Sequence, residues 1–121
     1  MILNCLAVGI GGFAGSVLRY LCSFLVTGTT FPWATLAVNV VGSFVLAVIA
    51  GMVLRGVIPS EELSLMLRVG LCGGFTTFST FSLETSNLAS NGHMGLAALY
   101  AVGTCALCVA AAFAGSWLTR A

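Results

Sequence analysis

The chain is 121 residues long and 60% hydrophobic, and its only charged side chains are Arg19, Arg55, Arg68, Arg120, Glu61, Glu62 and Glu84, with no Lys and no Asp. A soluble domain draws about a quarter of its residues from the charged types, so this composition excludes a water-facing globule and fits an integral membrane protein. A spanning helix takes about 20 apolar residues, so the length allows four spans and no catalytic domain outside the bilayer. A net charge of +1 leaves no basic patch for nucleic acid.

The first predicted span covers about residues 2 to 26. It carries no basic residue before Arg19 and is too long for a signal core, so it is expected to stay in the mature chain. Gly11-x-x-x-Gly15 and Gly12-x-x-x-Ser16 have the spacing that lets helix backbones approach closely in a membrane. Arg19 lies beyond the middle of the span, where its long stem reaches towards the interface or a partner. A loop with Gly and Pro, Thr27 to Pro32, follows.

The second span is expected over about 33 to 54. Thr35, Asn39, Gly42, Ser43 and Leu46 draw one narrow polar and small stripe down it. Polar groups in a bilayer are costly, and Asn39 is the most costly member of this stripe. The connection Arg55 to Glu62 contains Pro59, and Ser60 is placed to cap the next helix with Glu61 and Glu62 in its first turn.

The third span, about 63 to 90, holds most of the chemistry. Gly70-x-x-x-Gly74 repeats the close-packing spacing, and seven of the eleven residues from Thr76 to Ser86 carry hydroxyls. The Gly73-Gly74 pair predicts a helix break near the middle of the span. Freed backbone carbonyls at that depth must be buried in protein or line a cavity, and they are the usual ligands of a bound cation. Phe75, Phe78 and Phe81 recur every third residue. Ring edges are electropositive and hydroxyls donate, so together they suit a small anion held weakly enough to leave again. Glu84 is expected to pair with Arg19 as a structural tie or to line a vestibule.

An Asn-Gly turn signal within Asn87 to Gly95 precedes the fourth span, about 94 to 118. There Tyr100, Thr104 and Cys108 follow one another at four-residue spacing. The five cysteines are odd in number and scattered in apolar surroundings, which predicts packing or cavity lining and no disulfide framework or zinc site. Cys105 and Cys108 form a C-x-x-C without the polar context of a redox pair. His93 is expected to be solvated. With four spans, three arginines share the side of both termini and one lies opposite, which leans towards both termini inside.

Taken together, Gly11-Gly12-x-x-Gly15-x-x-x-Arg19, Thr35-Leu-x-x-Asn39 and the run from Gly70 to Glu84 resemble the CrcB/Fluc fluoride ion channels over essentially the whole chain. The resemblance implies an all-α membrane protein of four transmembrane helices per subunit, with a break in the third. It further implies an antiparallel, dual-topology homodimer in the cell membrane, or, as the lesser alternative, a pair with an oppositely oriented paralogue. Such a protein lets fluoride leave the cytoplasm passively and confers fluoride resistance. By the same resemblance Phe78 and Phe81 are the pore phenylalanines, Asn39 the pore amide, and Ser79, Thr80, Tyr100 and Thr104 the hydroxyl donors. Gly73 and Thr76 give carbonyls to a structural sodium ion at the dimer interface, and Arg19 and Glu84 fall on matching family positions. Cys108 stands where the family commonly has a hydroxyl. A competing expectation from size alone is a small multidrug-type, proton-coupled exporter. That chemistry needs a carboxylate in the first span, and Glu84 is the only candidate elsewhere. A non-conducting assembly factor would explain the glycines but leave the Phe and hydroxyl pattern without a purpose.

Overall fold

A computed structural model describes residues 1–120, and within them the chain is helical throughout apart from short connections. The order is α1 (Ile2–Cys22), α2 (Trp33–Leu54), α3 (Glu61–Leu65), a π-helical segment (Met66–Cys72), α4 (Gly73–Phe75), α5 (Phe78–Ser90) and α6 (Met94–Arg120). By length and apolarity α1, α2 and α6 can each cross a membrane. The third span, residues 61–90, is assembled from the remaining pieces.

Helix α1 is shorter than predicted. It stops at Cys22, and Ser23 to Val26 turn away as an exposed connection in which the Ser23 hydroxyl donates to the Tyr20 carbonyl. Composition hides this end, since Phe24, Leu25 and Val26 are as apolar as the helix before them. Two later ends are closed by glycine. Gly56 takes φ +76°, and the Gly56 and Val57 amides return to the Val53 and Met52 carbonyls. Gly92 takes φ +84°, with the His93 amide donating to Leu88 O. Both positions use the left-handed conformation that glycine adopts without a Cβ penalty. At the start of α3 the Ser60 hydroxyl accepts from the Leu63 amide at 3.2 Å, as its capping position predicts.

The longest packing seam joins α2 to α6, while α1 lies along the π segment and α4, and α5 leans on α6. Glycine makes the α1 seam. A Cβ on Gly11 would come within 2.2 Å of the Met66 carbonyl oxygen, and one on Gly15 within 2.2 Å of that of Leu71. From the other side, a Cβ on Gly70 would come within 2.6 Å of Val8 O and one on Gly74 within 2.8 Å of Gly12 O. The two small-residue motifs therefore meet each other inside one chain, with backbone against backbone.

The Gly73-Gly74 pair does not break the helix. Both residues are helical; Gly74 packs against Gly12 and Ser16 of α1, and its carbonyl is held by Arg19 Nε at 3.0 Å. The chain leaves helical geometry two residues on, at Thr76 (φ −87°, ψ 157°) and Thr77 (φ −150°, ψ 121°), and α5 begins at Phe78.

Candidate functional site

Breaking a helix in a membrane frees backbone groups that must find partners. Asn39, one turn beyond Thr35 on α2, provides two of them. Its Nδ2 donates to Thr77 O at 3.0 Å and its Oδ1 accepts from Thr77 N at 2.8 Å, so the amide pairs with the peptide groups as a neighbouring strand would. Thr77 then starts α5 itself, its Oγ1 accepting from the Thr80 amide at 3.2 Å. In an unbroken helix the Thr77 and Thr80 amides would bond the carbonyls four residues back, those of Gly73 and Thr76. Here they donate to Asn39 and to the Thr77 side chain instead, and those two carbonyls are released.

Two cavities flank the break, and Thr77 borders both. The wider, about 800 Å³, lies between the end of α1, the 23–32 connection and α5. Arg19, Tyr20, Thr35, Thr80, Glu84 and His93 are among its lining residues. The narrower, about 240 Å³, is walled by Asn39, Ser43, Thr76, Phe78, Phe81, Thr104, Cys105 and Cys108.

Glu84 does not tie to Arg19 as expected. Its Oε2 accepts from Thr35 Oγ1 at 3.1 Å and its Oε1 from Tyr100 OH at 3.0 Å, while Arg19 is engaged by Gly74 O. The carboxylate thus bridges α2, α5 and α6, and Tyr100, fully buried, packs its ring 5.0 Å from Phe81. The sequence contained a usable signal for this contact. A carboxylate in an apolar span needs donors, and Thr35 and Tyr100 are hydroxyls on the two neighbouring long helices.

The remaining predicted residues separate into distinct environments. Phe81 is buried at 7% exposure and Phe78 is open at 75%, with ring centroids 5.5 Å apart and planes tilted by 54°. Thr80 faces the wide cavity; Ser79 is exposed, its hydroxyl 3.4 Å from that of Thr77. Three hydroxyls of the Thr76 to Ser86 run are turned back to their own helix: Thr76 to Cys72 O, Ser82 to Phe78 O and Thr85 to Phe81 O. That run is therefore less of an open donor surface than its composition predicts. Thr104 is different. It is 5% exposed, lines the narrow cavity, and its Oγ1 is the one buried side-chain polar atom among the described residues with no hydrogen-bond partner.

Residues 6–116 match the family described as CrcB-like protein, Camphor Resistance (CrcB). This chain belongs to the CrcB family. Curated CrcB relatives carry the name fluoride-specific ion channel FluC. The one from Chlorobaculum tepidum is 47% identical over 119 residues, covering 97% of this chain and 94% of the relative. Those from Agrobacterium fabrum and Novosphingobium aromaticivorans are 45% and 48% identical over 121 and 118 residues, covering 98% and 93% of this chain and 97% and 93% of the relatives.

Proposed function

We propose that this chain is a fluoride-specific ion channel, not an enzyme, through which fluoride leaves the cytoplasm passively across the cell membrane. The observation that carries the reading is the narrow cavity, lined by Phe78, Phe81 and Thr104, whose buried hydroxyl has no partner. A buried donor without a partner is costly, and a desolvating anion beside it removes that cost. Asn39 gives one Nδ2 hydrogen to Thr77 O and retains the second. Ring edges of the two phenylalanines add weak positive potential. None of these groups binds deeply, which favours passage over trapping.

The wide cavity is the antechamber in this reading. Arg19 supplies the positive charge there, and both Glu84 oxygens accept hydroxyl hydrogen bonds that soften their repulsion of an anion. Thr77 stands between the two spaces, so the Asn39 clamp that shapes the break also shapes the passage.

A second copy in antiparallel, dual-topology arrangement is part of this proposal. It is supported by the openness of Phe78 and of Gly73, both beside the break. A structural sodium ion fits the residues present: the released Gly73 and Thr76 carbonyls are the oxygen type that a hard cation prefers. When bound it would supply positive charge that ties the broken segments of two copies. Gly73 and Thr76 from each copy would hold it.

Purified protein in liposomes tests the function. Rapid fluoride loss with little chloride loss is expected, and drug-proton exchange without fluoride loss would overturn the reading. Reporter fusions at the C-terminus test the arrangement, with activity expected on both sides of the membrane; activity on one side alone would reject the homodimer.

A further inference from the structure

Cys105 and Cys108 lie three residues apart on α6 and both line the narrow cavity. Helix neighbours at that spacing share a face, with Cβ atoms about 5–6 Å apart. Both are free thiols, Cys105 exposed and Cys108 half-buried. Thr104, a buried residue whose hydroxyl has no partner, lines the same space. Among the described residues no third His, Cys, Asp or Glu joins them.

That ligand count selects the cation. Structural zinc asks for four ligands, and hard cations choose oxygen over sulfur, so neither is what a pair of neighbouring thiols selects. Two thiolates are a full set for a soft, two-coordinate d¹⁰ ion such as Cu⁺, Ag⁺ or Hg²⁺. With a metal–thiolate bond of about 2.3 Å as the scale, a collinear S–metal–S unit spans about 4.6 Å. Side chains one turn apart reach that span without moving the backbone.

We propose that Cys105 and Cys108 form a two-thiolate site for a soft d¹⁰ cation on the wall of the narrow cavity, and that its occupation closes the fluoride route. The mercuric case balances simply: two S–H bonds break, two S–Hg bonds form, two protons pass to water, and no atom changes oxidation state. The bound ion sits beside Phe78 and Phe81 in a space of about 240 Å³. Closure rests on the fluoride reading; binding does not.

The test uses full-length wild type, the single variants Cys105→Ser and Cys108→Ser, and the double variant, with mercuric ion as the probe. Fluoride efflux from liposomes is scored for each protein relative to its own rate without mercury, and mercury–thiolate ultraviolet absorbance is read separately in detergent. Wild type is expected to lose most of its efflux and regain it with a dithiol chelator. The single variants, lacking the intramolecular second ligand, should need roughly 100-fold more mercury, and the double variant should resist. Equal block in the double variant would assign the effect to Cys5, Cys22 or Cys72 and overturn the proposal. Equal absorbance in wild type and double variant would overturn the site, and absorbance without block would overturn closure. If no untreated protein carries fluoride, the transport reading fails, and the absorbance comparison decides the site by itself.

Discussion

Replacing Asn39 by Ala removes both hydrogen bonds to Thr77, at 3.0 and 2.8 Å, while leaving the α2 backbone a better helix former than before. The loss falls on Thr77, whose amide and carbonyl stand at a break inside the membrane without a neighbouring turn to receive them. An unsatisfied buried polar group costs about 1–3 kcal/mol, so two of them cost about 2–6 kcal/mol, minus what entering water recovers. Each 1.4 kcal/mol is tenfold in an equilibrium constant, so even the lower figure shifts the folding equilibrium constant by roughly 30-fold. Denaturant titration in detergent, followed by the fluorescence of Trp33 and Trp117, reads the stability, and fluoride efflux reads the geometry of the break. Both are expected to fall. Asn39→Asp keeps an acceptor for the Thr77 amide but sets oxygen against the Thr77 carbonyl, so its stability should fall between wild type and Asn39→Ala. A change in Asn39→Ala below about 0.5 kcal/mol, the usual size for a surface substitution, would refute the clamp, and unreduced efflux would refute its place on the route.

Other substitutions separate packing from passage. Gly15→Ala, whose Cβ would come within 2.2 Å of Leu71 O, should destabilise by about 1–3 kcal/mol in the same titration, whereas Gly9→Ala, with nothing within 4 Å, should not. Phe81→Ala opens the core that Phe81 shares with Tyr100 and should cost about 3–5 kcal/mol. Phe78→Ala, at an exposed ring, should leave the folded chain nearly as stable in the same titration yet lower fluoride efflux. Glu84→Ala strands the buried Tyr100 hydroxyl and should destabilise by about 1–3 kcal/mol, while Glu84→Gln, which keeps an acceptor oxygen, should recover much of that loss.

The spans and their connections, the end of the first apart, were legible because apolar runs and turn chemistry act locally: the Ser60 cap and the Asn91-Gly92 turn need only their own neighbours. The Gly motifs announced close approach correctly, but a spacing names no partner, and Gly11 and Gly15 proved to face Met66 and Leu71. Gly73-Gly74 marked the neighbourhood of the break and misplaced it by two residues. Propensity makes glycine a poor helix interior, but here contact with α1 outweighs it, and the break moved to Thr76 and Thr77, where Asn39 could receive the freed groups. The Glu84 contacts were hidden for a related reason. Charge attracts charge in a sequence reading, so Arg19 looked like the partner, yet the fold brings Thr35 and Tyr100 to the carboxylate and gives the guanidinium a carbonyl. Nothing in the composition of Met66–Cys72 foretold its wider coil.

That wider coil sets the angle at which two anchorages of the rod stand to one another. Its bonds reach one residue further than those of an α-turn, so it accommodates a surplus residue, and each residue of a helix accounts for about 100° of rotation. The rod lies against the α1 glycines from Met66 through Leu71 to Gly74, along the coil and just past it, and further on it is pinned to the Asn39 amide. Excising a single position there would twist one anchorage away from the other by more than a quarter turn, so this stretch tolerates changes of letter better than changes of count.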